Sequence, residues 1–185
     1  MPLSEPVGRE KLHQRDIVLH GYRRDDGLFD VEATLKDTKT YRFSNEDRGA
    51  IEPGQPLHGM AMRMTVDGEL LIVAFEASTD WSPYAICPVA AENFSQLAGL
   101  RVGRGFLKAA AERVGGTHGC THLRELLQQM ATVAIQTMYS QRQSTANGDS
   151  SPKNLLNTCY AYSTEGALVQ TRWPEHYTGP VAAEA

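Results

Sequence analysis

The segment Gly115-Gly116-Thr117-His118-Gly119-Cys120-Thr121-His122-Leu123 sets three groups able to ligate a metal, His118, Cys120 and His122, within five positions. The stretch runs directly into the longest helical pattern of the chain. A thiol at a helix N-terminus feels unpaired amide dipoles that favour the thiolate, the form that attacks electrophiles or binds metal. Residues two apart do not share a helix face, but in a turn bounded by glycines Cys120 and His122 could converge on one ion. A plainer reading stands beside this one. Cys120 falls three and seven residues before Leu123 and Leu127, on an apolar stripe where inert core cysteines are common.

The other candidates lie far away in the chain. Cys87, in Pro83-Tyr84-Ala85-Ile86-Cys87-Pro88, falls between a strand pattern and a helix pattern, where loops often carry sites. Cys159 lies near Leu155 and Leu156 at helical spacing and reads first as core packing. If all three thiols met, the site would be soft and suited to Zn²⁺, Cu(I) or an iron–sulfur cluster. His58 enters a methionine-rich strand and is either a further ligand or a hydrogen-bonded structural residue. Arg63 on that strand, and Arg101 among Gly99, Gly103 and Gly105, are candidates for binding an anionic substrate. Asp25, Asp26, Asp30 and Glu32 form an acidic hairpin opposite Arg23 and Arg24, which cross-strand ion pairs and turn chemistry largely explain. There is no C-x-x-C pair, H-E-x-x-H helix, P-loop, dinucleotide fingerprint or G-x-S-x-G elbow.

The first half of the chain must position these groups with strands. Ile17 to Arg23, Leu28 to Leu35 and Thr40 to Phe43 alternate or run apolar, with Asp25-Asp26-Gly27 as a turn between the first two. Met60, Met62, Met64 and Val66 alternate with Ala61, Arg63 and Thr65, so the methionines read as core. Glu69 to Ala77 carries apolar residues on both faces, which predicts that both are covered. The second half changes period. Val89 to Ala98 and Phe106 to Val114 predict helices stopped by glycine, and Leu123 to Arg142 predicts a long one with Leu123, Leu127, Met130, Ala134 and Met138 on one stripe. Ser151-Pro152 predicts the start of a short helix through Leu155, Leu156 and Cys159, after a polar loop from Gln143. Ala167 to Trp173 predicts an edge strand ended by Pro174, and the tail from Gly179 is expected to fray. Strands first and helices after them define an α+β fold. The expectation is a mostly antiparallel sheet of about five strands from the N-terminal half, covered on one face by helices from the C-terminal half.

A length of 185 residues suits a single domain, 1–185, with enough core to need no disulfide or structural metal for bulk stability. Eighteen basic against 22 acidic side chains, a net charge of −4, argue against nucleic-acid partners. Three cysteines, an odd number, argue against a disulfide framework. No stretch of 18 apolar residues and no signal layout is found, so a cytoplasmic protein without membrane partners is expected.

The chain resembles the bacterial domain-of-unknown-function family DUF2889. The blocks that carry the likeness are His13-Gln14-Arg15, Gly21 to Glu32, Asp37-Thr38-Lys39, His58-Gly59-Met60, Gly99 to Gly103, Gly119-Cys120-Thr121-His122-Leu123-Arg124-Glu125-Leu126 and Gln136-Thr137. The resemblance runs over 12–174, leaving 175–185 as a tail, and implies one unit without implying an activity. A weaker likeness is to NifU-type iron–sulfur scaffold proteins, on the order and rough spacing of Cys87, Cys120 and Cys159 alone.

These readings predict first a metal- or cluster-binding protein, holding Zn or an iron–sulfur cluster through Cys87, Cys120 and His122, with His58 and Cys159 as further ligands. A second reading is an enzyme on a small organic substrate, with Cys120 as nucleophile or His122 as general base and Arg63 or Arg101 binding a carboxylate. A third is a non-catalytic binding or assembly module.

Overall fold

A computed structural model describes residues 3–139 and 155–180, and the chain divides into two compact units, 1–139 and 140–185. In the first unit, strands β1 (His13–Arg23), β2 (Phe29–Lys39), β5 (Pro56–Val66) and β6 (Ile72–Trp81) form an antiparallel sheet in the order β1-β2-β5-β6. The short strands β3 (Phe43–Asn45) and β4 (Gly49–Ile51) pair only with each other. The sheet therefore has four strands rather than about five. The expected strand at Thr40 to Phe43 is displaced to the far side of a turn, because β2 runs on to Lys39.

Alternation along β2 decides the inside. Phe29, Val31, Ala33, Leu35 and Asp37 are all buried, while Thr34 and Lys36 between them are exposed. Met60, Met62, Met64 and Val66 of β5 share that buried face, so the methionines are core as their spacing predicts. Strand β6 departs from the expected double burial. Its register slips opposite Thr65 and Val66, which pairs Thr65 with Ala74 and Val66 with Ile72 and leaves Val73 bulged and exposed. Ile72 and Phe75, three apart, therefore both point into the core.

Helices α1 (Cys87–Glu92), α2 (Phe106–Val114) and α3 (Thr121–Thr137) follow, with a short 3₁₀ turn, Asn93–Leu97, continuing α1. Together α1 and this turn cover the expected Val89 to Ala98 helix. Both pack on β6, whereas α3 lies against β1, β2 and β5. On α3 the residues Leu123, Leu126, Leu127, Met130 and Ala134 are buried and join the sheet residues in one cluster. Each leucine and methionine among them contributes roughly 1.5–3 kcal/mol when fully withdrawn from water, which is what docks the helix. The part of the expected helix beyond residue 139, the Gln143 to Ser151 loop and Ser151-Pro152 lie outside the described residues.

In the second unit, Leu155 to Cys159 form turns rather than a helix, followed by a 3₁₀ turn at Tyr160–Tyr162. Ala167–Arg172 is helix α4 and not the edge strand its residues suggest. A lone amphipathic run of this length fits either period, and here Gly166 starts a helical turn in which Val169 alone is fully buried. The Tyr162 and Trp173 rings stack 6.1 Å apart. No helix among the described residues is long and apolar enough to cross a membrane.

Candidate metal centre

The buried stripe of β2 ends on a charge. Asp37 occupies the fifth inward position of the strand, and its side chain is 1% exposed. An unpaired carboxylate there would cost several kcal/mol, so its neighbours must supply compensation. The register shows how they do. Arg15 of β1 pairs directly with Asp37, and Asp37 pairs directly with His58 of β5, so Arg15, Asp37 and His58 form a straight row across three strands on the core-facing side.

Both carboxylate oxygens of Asp37 are engaged. Arg15 Nε donates to Oδ1 and a terminal guanidinium nitrogen donates to Oδ2, each at 2.8 Å, in a bidentate fork. His58 Nδ1 lies 2.9 Å from Oδ2, and His13 Nε2 lies 3.2 Å from Oδ1. Burial pushes the Asp37 carboxyl upward, but the hydrogen bonds and charge of Arg15, helped by His58, overcome it and hold the group below the usual carboxylate range. A carboxylate only accepts, so His58 Nδ1 is the donor in that contact. Burial, followed by the nearby His122, pulls His58 below the usual histidine range despite Asp37. His58 is therefore a neutral imidazole near pH 7, the form that binds metals.

Helix α3 closes the row from above. His122, in its first turn, brings its ring to 4.0 Å from that of His58, centroid to centroid. One turn on, Glu125 accepts from the remaining terminal nitrogen of Arg15 at 2.6 Å. His122 and Glu125 are three apart and so are neighbours on the helix surface, beside the buried stripe that faces the sheet. One donor atom from each of Asp37, His58 and His122 lies within 4.8 Å of the others, and this is the metal-competent group of His, Cys, Asp and Glu among the described residues.

The local backbone is shaped for this approach. Bulges flank His58 and Gly59 on both sides, between Asp37 and Thr38 against β2 and between Gly59 and Met60 against β6. Such irregularities re-aim side chains at a strand end. A Cβ at Gly59 would meet the Trp81 ring at 2.7 Å, so only glycine lets β5 pass that ring here. Gly119, before α3, likewise has the Val114 carbonyl where a Cβ would stand.

Of the residues predicted from sequence, His58 and His122 come together. Cys120 stands beside them as the residue preceding α3, with Sγ 3.9 Å from His122 Nδ1, and it also packs against the core cluster. Cys87 is half-buried at the start of α1 and joins no metal-competent group among the described residues. Cys159 belongs to the second unit and is exposed rather than packed in a core. Arg63 is occupied by Glu32 at 2.8 Å and Glu76 at 3.5 Å on the exposed face of the sheet. Arg101 donates to the Glu69 carbonyl, beside its bridge to Leu71.

Sequence reading missed Asp37, Arg15, His13 and Glu125. Two signals were available: the period of two from Phe29 through Leu35 puts an acid, Asp37, at the next inward position, and all four residues lie in the blocks that carry the family resemblance.

A model of the family described as a protein of unknown function, DUF2889, matches residues 13–136. The chain belongs to this family. The match opens at His13 and closes within α3, so it takes in every residue of the row and of the helix turn above it, and stops short of Cys159. No curated protein and no solved structure matches the chain.

Proposed function

We propose that this protein binds a divalent transition metal of the zinc class within the group formed by Asp37, His58 and His122, the two imidazoles being the ligands and Asp37 lying behind them, with Cys120 at the edge of the site. The observation that supports this is the convergence of three donor groups from β2, β5 and α3, one of them a carboxylate kept ionised inside the core and another an imidazole kept neutral. Two imidazoles, one of them backed by a carboxylate, suit Zn²⁺ and its neighbours in the first transition row. They suit an iron–sulfur cluster less, since clusters take cysteine thiolates and Cys120 is the thiol bordering the group. The fold that carries the site is read as α+β with a helical layer over one face of the sheet, in a cytoplasmic protein.

The purified chain, stripped with a chelator and dialysed against zinc, is expected to retain about one ion per chain by elemental analysis. Both His58→Ala and His122→Ala are expected to lose it while keeping a cooperative melt. Retention by both variants at the level of the unaltered chain overturns the assignment.

The 3.9 Å contact between Cys120 and His122 supports a second reading, thiol chemistry with His122 as the base. Alkylation with iodoacetamide discriminates. Fast labelling of Cys120 in metal-free protein that slows in His122→Ala favours the second reading; labelling no faster than that of a buried thiol removes it.

A further inference from the structure

Resting on the metal reading above, we infer that Arg15 and Asp37 are positioning residues of the centre, which fix His58 as the Nδ1–H tautomer and tie it to the helix that carries His122, while the direct ligands are His58 through Nε2 and His122. Three observations carry this. First, Asp37 has no oxygen to spare. Oδ1 accepts from Arg15 and faces His13, and Oδ2 accepts from Arg15 and His58, so direct ligation would require breaking a bidentate ion pair in a site 1% exposed. Second, His58 turns Nδ1 to Asp37 Oδ2 at 2.9 Å, and because a carboxylate only accepts, the proton belongs on Nδ1 and the Nε2 lone pair is left for an ion. A carboxylate behind a ligating imidazole commonly sets tautomer and ring orientation in this way.

Third, a single guanidinium joins the two halves of the site. Arg15 holds Asp37, and through it His58, with Nε and one terminal nitrogen; with the other it holds Glu125, one turn along α3 from His122. The spacing between the two imidazoles is thus set by a planar five-donor group that lysine cannot imitate. With two histidines as the protein's direct ligands, the remaining coordination positions are open to water or to an anionic small molecule, as in sites that exchange ligands.

Long-range ¹H–¹⁵N correlation spectra of the metal-free chain test the inference independently of any metal. The expected result is His58 protonated on Nδ1 and bare on Nε2, with the pattern degraded in Arg15→Lys; the opposite tautomer in the unaltered chain overturns the inference. Zinc titration with a competing chelator gives the second measurement. Asp37→Asn and Arg15→Lys are each expected to bind zinc 10–100-fold more weakly, the usual size of such an effect, and His58→Ala to lose binding altogether. Loss in Asp37→Asn as complete as in His58→Ala makes Asp37 a ligand and overturns the inference. Should Asp37→Asn not fold, the decision falls to Arg15→Lys, for which undiminished affinity is the overturning result. Absence of zinc binding by the unaltered chain, with the tautomer as expected, instead removes the metal reading on which the inference rests.

Discussion

Two arginine–aspartate arrangements sit near opposite ends of β2, and they differ in almost everything but chemistry. At the hairpin end, Arg24 pairs with Asp26 at 2.5 Å and with Asp30 at 3.4 Å, and the Asp26 side chain is 49% exposed. At the other end, Arg15 pairs with Asp37, 1% exposed, and reaches on to Glu125. Both aspartates are held below the usual carboxylate range. For Asp26 the Arg24 hydrogen bond is the main cause, whereas for Asp37 the same kind of bond must first overcome burial. The difference follows from where each acid meets the strand's period of two. Asp26 lies in the turn, in water; Asp37 keeps the parity of Phe29 and Leu35 and is carried inside. Ion pairs in water contribute little, and those in a core impose conditions on every neighbour.

Four perturbations sharpen or break that contrast. The largest expected effect is from Asp37→Ala, which leaves Arg15 and His58 facing an empty carboxylate position. A loss of about 3 kcal/mol in urea unfolding is expected, at the low end for a broken buried pair because Arg15 can still reach water. Stability unchanged by that substitution would falsify the burial argument. Next is Gly59→Ala, in which the new methyl group strikes the Trp81 ring; a loss of roughly 1–3 kcal/mol is expected, together with weaker zinc binding through displacement of His58.

Acid comes third. His58 is depressed in the folded chain, so the folded state binds fewer protons than the unfolded one just below the ordinary histidine value. Stability is then full above about pH 6.5 and declines as the pH falls below it. A second decline follows near and below about pH 4, where Asp37, also depressed, is forced to take a proton. The groups facing His58 are Asp37, Arg15 and His122, with His13 on the far side of the carboxylate. Melting temperatures of metal-free protein between pH 7.5 and 5 should fall, and the fall should flatten in His58→Gln; equal slopes in the two proteins would assign it elsewhere. The smallest effect belongs to Asp26→Ala at the exposed end, where the urea midpoint is expected not to move. A clear shift there would erase the distinction between the two ends.

Much of the fold was legible in the chain. The hairpin of β1 and β2, the methionine strand, α2 and the start of the long helix all follow from periodicity, because each of these elements buries one face and the pattern records which. What failed was local. Val73 reads as buried until the bulge opposite Thr65 turns it out, and Ala167 to Arg172 is too short for its period to separate helix from strand. The site was half legible. His58 and His122 were visible as residue types, and Cys120 was visible beside His122, but three cysteines drew attention to a shared thiol centre. The cluster that assembles is instead made of a carboxylate and imidazoles.

The amino-acid sequence on its own determined which faces are apolar, where the period changes from two to that of a helix, and that an acid continues the inward stripe of β2. It could not determine what that acid meets. Strand order and register are set by the summed packing of the whole core, and only those two facts place Arg15, Asp37 and His58 in one line. The docking of α3 on β1, β2 and β5 then decides that His122 and Glu125 arrive over that line, which no local pattern records because the partners are separated by up to 110 residues of chain.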